Sequence, residues 1–321
     1  MVYEFAPLEG ITDHIYRNLH RRYFPGVDRY YTPFIAPTEA GRFAPRDKRE
    51  VLPENNEAPL VPQLLAKDAE NFLWAARKLW EMGYREINLN LGCPSGTVVA
   101  KRKGAGFLSE PELLDAFFDR IFSAEGIPAV SVKTRLGVKS PDEFAGLLRI
   151  YNKYPISGLI VHARTLAELY KGPVHPEVFA AALAETKIPL CYNGNLFRRE
   201  DLLAFSERFP TVKAVMIGRG LVANPALVSP EPIEKERLYA FLHDLRENYL
   251  EAFGSRRNAM MRMKEIWFYL IRLFVGSDEY AAKLARAKDW SEFFMLTDRV
   301  FRELPLDPSG VTFGNLPAPA P

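Results

Sequence analysis

The fold is decided by a repeated pattern whose clearest example is the stretch Glu86-Ile-Asn-Leu-Asn-Leu-Gly-Cys-Pro-Ser95. Residues 86–90 have the short, apolar character of a buried strand, and a polar turn follows. Similar runs recur at intervals of roughly 25–35 residues along the first two thirds of the chain. The other runs are Val2–Ala6, Arg29–Pro33, Leu60–Leu65, Ala129–Thr134, Gly158–His162, Leu190–Asn193 and Ala214–Ile217.

Helical patterns separate these strands. In Asp68–Gly83, for example, apolar residues recur on one face and the pattern stops at a glycine. About eight strands alternating with helices over roughly 220 residues are what a (β/α)8 barrel requires. A doubly wound open sheet is the alternative, because alternation alone does not distinguish the two. The strand count favours the barrel. The polar residues do so as well, because they lie just beyond the C-terminal ends of the strands. The interval 34–59 is polar and weakly patterned, so we expect long loops there.

The pattern changes after Pro225. Val228-Ser-Pro-Glu-Pro reads as a break, and leucines then recur at helical spacing at positions 238, 242 and 245. We therefore predict an α/β protein with a TIM barrel over residues 1–233 and a smaller all-helical C-terminal domain over residues 234–304. Residues 305–321 are rich in Pro and Gly, and we expect a disordered tail.

Composition excludes several classes of protein. The chain has 321 residues, is 48% hydrophobic and carries 42 basic against 40 acidic side chains, a net charge of +2. Such an apolar fraction excludes a largely disordered chain, and no uninterrupted apolar run is long enough to span a membrane. Two cysteines and five scattered histidines offer neither a disulfide framework nor a zinc site. We expect a cytoplasmic monomer without metal, whose nucleic-acid contacts, if it makes any, depend on local basic clusters.

The cysteine at the end of the central stretch is a candidate for chemistry. Cys93 follows Asn90 and Gly92, so its thiol lies at the mouth of the predicted barrel. A thiol there can serve as a nucleophile, a metal ligand or a proton donor. A metal needs more ligands nearby, and His162 is the base that a nucleophile would need. As an acid, a thiol is mostly protonated at neutral pH yet releases its proton readily. A small apolar residue in a turn remains the simplest alternative.

Two later strands end in cations. Lys133 and Arg135 share one face of their strand, so either a bound anion or a salt bridge within the barrel would satisfy them. His162 and Arg164 end the following strand. A basic loop, Lys101-Arg102-Lys103 with Gly104 and Gly106, follows Cys93 and is equally compatible with a polyanion or with water.

The last two strands end in small and amide residues, Tyr192-Asn-Gly-Asn and Met216-Ile-Gly-Arg-Gly. Loops after the seventh and eighth strands are the usual phosphate site of these barrels. The sequence therefore predicts a phosphorylated cofactor whose phosphate lies here and whose reactive end points toward Lys133, His162 and Cys93.

Taken together, these segments resemble the tRNA-dihydrouridine synthase family of flavin enzymes. The resemblance rests on Ala6-Pro-Leu-Glu-Gly-Ile-Thr-Asp, Pro62-Gln-Leu, Asn88-Leu-Asn-Leu-Gly-Cys-Pro-Ser, Val132-Lys-Thr-Arg-Leu-Gly, Val161-His-Ala-Arg-Thr, Asn193-Gly-Asn, Ile217-Gly-Arg-Gly and, in the helical region, Arg262-Met-Lys-Glu-Ile-Trp. It implies an FMN-dependent, NADPH-fed reduction of uridine in tRNA to 5,6-dihydrouridine. Hydride would pass from reduced FMN to uracil C6, and Cys93 would donate the proton to C5.

The resemblance also assigns binding residues. Those implied to hold FMN are Pro7, Leu8, Gln63, Lys133, His162, Asn193, Gly194, Asn195, Gly218, Arg219 and Gly220. Substrate binding is assigned to Asn90, Lys101, Arg102, Lys103, Arg135 and Arg164. Further basic residues are expected to contact tRNA phosphates: Arg256, Arg257, Arg262, Lys264, Arg272, Arg286 and Lys288.

Two residues depart from the family pattern. Leu8 stands where Met is usual, which is a mild apolar exchange. Glu168 stands where Gln is usual, and we expect it to add a negative charge near the RNA entrance. Three other functions stay open: a related flavin barrel acting on a free pyrimidine, an RNA-binding protein without catalysis, and a Cys–His hydrolase.

Overall fold

The computed structural model describes residues 1–38 and 41–311, and within them the strands form one parallel sheet. Its strands are β1 Val2–Phe5, β2 Arg29–Tyr31, β3 Leu60–Val61, β4 Gln63–Leu64, β5 Glu86–Leu91, β6 Ala129–Arg135, β7 Leu159–His162, β8 Leu190–Asn193 and β9 Ala214–Ile217. Their spatial order is β3-β2-β1-β9-β8-β7-β6-β5-β4. All the strands predicted from the sequence are present.

The two ends of this order are adjacent in the chain, because only Pro62 separates β3 from β4. Proline has no backbone N–H for the ladder, so the strand is interrupted there. Ile35 pairs with Leu64 in parallel, and the Ile35 N–H donates to the Gln63 carbonyl at 2.8 Å. The sheet therefore closes on itself. The predicted barrel is confirmed, and the open doubly wound sheet is excluded.

Helices connect the strands and dominate the C-terminal part. Those in the described residues are α1 His14–Tyr23, α2 Pro45–Val51, α3 Ala69–Glu81, α4 Gly96–Val99, α5 Pro111–Phe122, α6 Glu143–Tyr151, α7 Pro176–Glu185, α8 Arg199–Arg208, α9 Arg219–Ala223, α10 Lys235–Phe253, α11 Arg256–Leu270, α12 Asp278–Arg286 and α13 Trp290–Glu303. Within the interval 34–59, where the sequence predicts long loops, α2 forms with Pro45 in its first turn, where a missing N–H costs nothing.

By packing, the chain divides into two compact units. One comprises residues 1–7, 29–194 and 208–216, and the other comprises 8–28, 195–207 and 217–321. The first unit contains the barrel strands. The second contains α10 to α13, which confirms the helical C-terminal region, together with α1. The domain boundaries predicted at residues 233 and 304 remain predictions, since the compact units follow a different division.

Part of the predicted tail is ordered. Leu306 forms an antiparallel bridge with Phe274, the Asp307 N–H donates to the Leu273 carbonyl at 2.8 Å, and Val311 is fully buried. The expectation of disorder is therefore wrong for residues 305–311, because these backbone and apolar contacts hold them to their own unit. The rest of the predicted tail, 312–321, lies outside the described residues.

Several polar groups lie inside the barrel. Glu4 on β1 is 4% exposed, accepts a hydrogen bond from the Tyr31 hydroxyl at 3.0 Å and lies 3.5 Å from the Cys191 thiol. Burial raises the pKa of Glu4 and raises that of the Cys191 thiol as well. Cys191 is buried in β8, as a residue of the strand core would be. Its neighbour, however, is the polar side chain of Glu4.

Candidate active site

A ladder of side-chain amides crosses three neighbouring strands of the barrel. Asn88 Nδ2 donates to Ser131 Oγ at 3.0 Å, Gln63 Nε2 donates to Asn88 Oδ1 at 2.8 Å, and Asn90 Nδ2 donates to Gln63 Oε1 at 2.7 Å. Asn88 and Gln63 are fully buried. Because each buried amide has a partner, the ladder fixes the orientation of Asn90 at the end of β5.

Asn90 in turn shapes the turn that carries the candidate acid. Its Oδ1 accepts hydrogen bonds from the backbone N–H groups of Gly92 at 3.0 Å and Cys93 at 2.9 Å. Such a local side-chain-to-backbone contact holds a turn in one conformation. Cys93 is half-buried and forms no disulfide bond. The structure thus makes Asn90 the residue that holds Cys93, a role that the motif alone does not reveal.

The basic loop packs against the backbone of Cys93. Gly104 has φ +55°, and a Cβ on it would lie 2.9 Å from the Cys93 carbonyl oxygen. Ala105 donates its N–H to the same oxygen at 3.1 Å. Lys101 and Arg102 are exposed, and the Arg102 guanidinium pairs with Glu110 at 2.7 Å. Their assignment to substrate remains a prediction, and Lys103 is half-buried.

The two cations of β6 have different surroundings. Lys133 pairs with Asn90 in the strand register, and burial together with the nearby Arg135 lowers the pKa of its ammonium to about 8. Arg135 is fully buried. Its Nε donates to the Gly92 carbonyl at 2.8 Å, and its Nη1 donates to the Thr165 and Leu169 carbonyls at 2.9 and 2.8 Å. Three backbone carbonyls therefore accept hydrogen bonds from Arg135, which the sequence assigned to substrate binding.

The residues at the end of β7, His162 and Arg164, are also buried and in contact with neighbouring groups. His162 is 6% exposed, its Nε2 lies 3.3 Å from Arg164 Nη1, and its ring centroid lies 5.9 Å from that of Tyr170. Arg164 Nε donates to the Gly172 carbonyl at 2.7 Å. The sequence did not single out Tyr170, although it follows His162 closely and is 40% exposed. Its guanidinium neighbour is Arg135, 5.3 Å from the ring.

Glu168 does not present a free negative charge. Its carboxylate lies 2.6 Å from His175 Nε2 and accepts from the Thr165 N–H at 2.7 Å. His175 and the Thr165 hydrogen bonds lower the pKa of Glu168, and this carboxylate raises the pKa of His175. The carboxylate of Glu168 is therefore engaged by residues of its own loop, and its effect on RNA contact remains a prediction.

In the first unit, the predicted cofactor residues at the end of β8 are tightly packed. Asn193 is 8% exposed and its Nδ2 donates to the Met216 carbonyl at 2.7 Å. A Cβ on Gly194 would lie within 2.6 Å of atoms of the Tyr192 ring. Gly194 therefore admits no larger side chain without displacing that ring. Pro7, Gln63, Lys133 and His162 belong to this unit as well.

In the second unit, the loops after β8 and β9 meet each other. A Cβ on Gly220 would lie 2.3 Å from the Leu196 carbonyl oxygen, and Arg219 Nη2 lies 3.4 Å from Asn195 Oδ1. Gly218 precedes α9 as its N-cap. These contacts bring together the four predicted phosphate residues of this unit. Leu8 lies in the same unit, where its N–H donates to Thr12 Oγ1 at 2.8 Å.

The basic residues predicted to contact tRNA divide by exposure. Arg256, Arg257, Arg286 and Lys288 are exposed. Arg262, Lys264 and Arg272 are half-buried, and Lys264 Nζ donates to the Ala285 carbonyl at 3.2 Å. The four exposed side chains are the members of this set that are best suited to contact a large partner.

Residues 1–38 and 41–311 contain neither a candidate membrane span nor a candidate metal site. No helix there has the length and hydropathy needed to cross a bilayer. Among the same residues, no three His, Cys, Asp or Glu side chains are grouped so as to hold a metal ion.

The barrel and the thiol held at the carboxyl end of β5 define a class, the (β/α)8-barrel enzymes whose reactive groups sit at strand ends. Solved structures share this fold. Morphinone reductase superposes with a TM-score of 0.50 over 70% of this chain and 84% of that one, at 12% identity. A 2-naphthoyl-CoA reductase superposes with a TM-score of 0.52 over 70% and 49%, at 10% identity.

Sequence comparison identifies the family. The profile of the dihydrouridine synthase family (Dus) matches residues 4–300. A tRNA-dihydrouridine(16) synthase of Pseudomonas putida is 33% identical over 304 residues, which are 88% of this chain and 92% of the relative. A probable tRNA-dihydrouridine synthase 2 of Bacillus subtilis is 30% identical over 308 residues, 91% and 92% of the two chains. The chain belongs to the dihydrouridine synthase family and is an enzyme.

Proposed function

We propose that this enzyme reduces uridine in tRNA to 5,6-dihydrouridine, with Cys93 as the proton donor. The observation that carries the proposal is the hydrogen bond from the Cys93 N–H to Asn90 Oδ1, which holds a half-buried thiol at the carboxyl end of β5. The relatives named above supply the substrate class, because their names specify tRNA.

The residues present fit flavin mononucleotide. Gly194 and Gly220 have no room for a Cβ beside Tyr192 and Leu196, and backbone that bears no side chain can approach a phosphate closely. Arg219 and Asn195 add a cation and an amide in the second unit, and Asn193 lies beside Gly194 in the first. Lys133 and His162 are the polar groups that we assign to the ring, with Gln63, Pro7 and Leu8 completing the set.

When bound, a reduced flavin would supply the hydride for uracil C6, and NADPH would supply the electrons that reduce the flavin again. Charge then develops toward C5 and the O4 carbonyl, and Cys93 Sγ–H donates its proton at C5. A thiol suits this step because it is a far stronger acid than a serine hydroxyl. Lys133 adds a positive charge next to Asn90 in the register, which stabilises developing negative charge.

The target base must leave the tRNA stack to reach a thiol in this position. We propose that Lys101, Arg102 and Lys103 contact the RNA near the barrel, and that the exposed Arg256, Arg257, Arg286 and Lys288 contact phosphates along the helical region. Asn90, Arg135 and Arg164 contribute by holding the strand ends, and we place the enzyme in the cytoplasm with its tRNA substrates.

The glycine in the second unit offers a test of cofactor binding. Gly220→Ala places a methyl group 2.3 Å from the Leu196 carbonyl oxygen, so the loop after β9 must shift. We expect purified Gly220→Ala to retain less than about a tenth of the wild-type flavin, measured by visible absorbance per protein. Gly96→Ala is the matched control, because no atom lies within 4 Å of its added Cβ. Equal flavin content in both variants would remove Gly220 from the site.

Mapping dihydrouridine in tRNA from a strain that lacks this gene tests the function itself. We expect one uridine position to stay unreduced, and plasmid-borne wild type to restore it. Position 16 is the first to examine, because the Pseudomonas putida relative is named for it. A tRNA pool with unchanged dihydrouridine at every position would contradict the proposed function.

A further inference from the structure

The loop after β7 is closed by a contact between two of its own residues, Glu168 and His175. Glu168 Oε1 lies 2.6 Å from His175 Nε2. Glu168 Oε2 accepts from the Thr165 N–H at 2.7 Å and from the Thr165 hydroxyl at 3.1 Å. The His175 N–H donates to the Ala163 carbonyl at 2.8 Å, where the loop begins. Both ends of the segment are thereby tied together. We call this contact the Glu168–His175 clasp.

The segment inside the clasp carries backbone strain. Leu169 has φ +52°, a left-handed conformation that a branched side chain adopts rarely. Gly172 is pressed against Glu168, since a Cβ there would lie 2.6 Å from Glu168 Cβ. Strained residues persist only where surrounding contacts hold them, and they concentrate at functional sites. The clasp supplies such contacts on both sides of Leu169.

The strained segment reaches the candidate acid through one buried side chain. Arg135 Nη1 donates to the carbonyls of Thr165 and Leu169, and Arg135 Nε donates to the carbonyl of Gly92. Gly92 is bonded directly to Cys93. The clasp therefore sets two of the carbonyls that orient Arg135, and Arg135 contacts the turn that carries the thiol.

The segment also presents Tyr170 to two other residues. The Tyr170 ring lies 5.9 Å from the His162 ring and 5.3 Å from the Arg135 guanidinium. Both distances are within the range of favourable aromatic and cation–π contacts. A displacement of the segment would move Tyr170 away from both.

We propose that Glu168 and His175 are positioning residues for the reduction, which hold the segment 163–175 so that Arg135 and Tyr170 keep Cys93 and His162 in place. The proposal rests on the proposed function of this site. Neither residue touches Cys93, so their effect is carried by the segment.

The charge on His175 makes the clasp sensitive to pH. The groups facing His175 are Glu168 and, from α7, Glu177, whose Oε1 lies 3.2 Å from Nδ1. From β6, the cation of Arg135 faces Glu168. The pKa of His175 is raised above its ordinary value, chiefly by Glu168. A histidine with a raised pKa stabilises the structure fully below its ordinary pKa, and that contribution is lost as pH rises through the raised pKa.

The test compares dihydrouridine formation by wild type and Glu168→Gln across pH. The amide of the variant accepts from Thr165 and donates to neutral His175, so it keeps the contact but not its charge. The ratio of the two rates cancels any pH dependence that the two enzymes share. We expect a ratio of about ten near pH 6 that falls toward one near pH 9, since charged hydrogen bonds are about twice as strong as neutral ones. A ratio that does not vary with pH would overturn the proposal.

A second variant separates positioning from binding. In His175→Ala we expect kcat to fall about ten- to a hundredfold, as for a small misplacement of a reacting group, with KM for tRNA within about twofold. Glu177→Gln is the matched control, because it removes the other carboxylate at His175 and keeps the Glu168–His175 contact. Its kcat should equal that of wild type. Full activity of His175→Ala would also overturn the proposal.

Hydrogen–deuterium exchange provides a readout without substrate. At one pH, the amides of residues 165–172 should exchange faster in His175→Ala than in wild type, while those of β5 should exchange alike. Unchanged exchange in the segment means that the clasp does not hold it. If wild type forms no dihydrouridine at any pH, the proposed function fails, and the exchange result alone decides whether the clasp holds the segment.

Discussion

Replacing Cys93 by alanine should abolish dihydrouridine formation while NADPH still reduces the bound flavin at the wild-type rate. The expected loss is about 10²–10⁴-fold in kcat, the usual contribution of a positioned general acid. The separation follows from the geometry, because the side chain of Cys93 contributes the proton, whereas its backbone N–H bonds to Asn90 and is retained in the variant. Stopped-flow reduction and a tRNA assay measure the two half-reactions separately.

Cys191→Ala is the matched control for that experiment. It removes the other free thiol, which lies buried beside Glu4 on β8. We expect this variant to lose some stability and to keep its catalytic rate. Equal losses in both half-reactions of Cys93→Ala would contradict the acid role and point to a structural role for the thiol.

Gly104→Ala should lower dihydrouridine formation without altering any group that reacts. Its Cβ would lie 2.9 Å from the Cys93 carbonyl oxygen and 3.0 Å from Cys93 Cβ, and its φ of +55° disfavours alanine. We expect kcat to fall about tenfold or more, because a displacement well below 1 Å suffices when the donor must meet C5. The free energy of unfolding should fall by about 1–2 kcal/mol.

Gly96→Ala again controls for the substitution itself, since it adds the same methyl group in the same loop with open space around it. Its rate and its denaturant midpoint should match those of wild type. A Gly104→Ala variant that is as active as Gly96→Ala would show that the loop does not set the position of Cys93.

Much of the fold follows from residue patterns. Each predicted strand is an apolar run bounded by polar or breaking residues, and each is present. The split at Pro62 and the helix α2 were not predicted. The first depends on the loss of one N–H within an otherwise continuous strand. The second depends on a seven-residue helix with five consecutive charged residues and little apolar periodicity.

The candidate site is less visible in the sequence than the fold. Motifs identified Cys93, Asn90 and Lys133, but the Glu168–His175 contact could not be seen, because it joins residues seven positions apart in an irregular loop. Arg135 looked like a ligand for an anion, and its three carbonyl partners come from two separate strand ends. Alternation offered one usable signal: Asn88 and Asn90 lie two apart on β5, as members of one face must.

The most direct test of the central claim is a single turnover without oxygen. Flavin-loaded enzyme is reduced with NADPH, freed of excess reductant and mixed with tRNA that lacks dihydrouridine. We expect flavin reoxidation and dihydrouridine formation in equal amounts, and we expect neither to proceed at the wild-type rate with Cys93→Ala. Flavin that stays reduced in the presence of the tRNA, or is reoxidised without dihydrouridine, would contradict it.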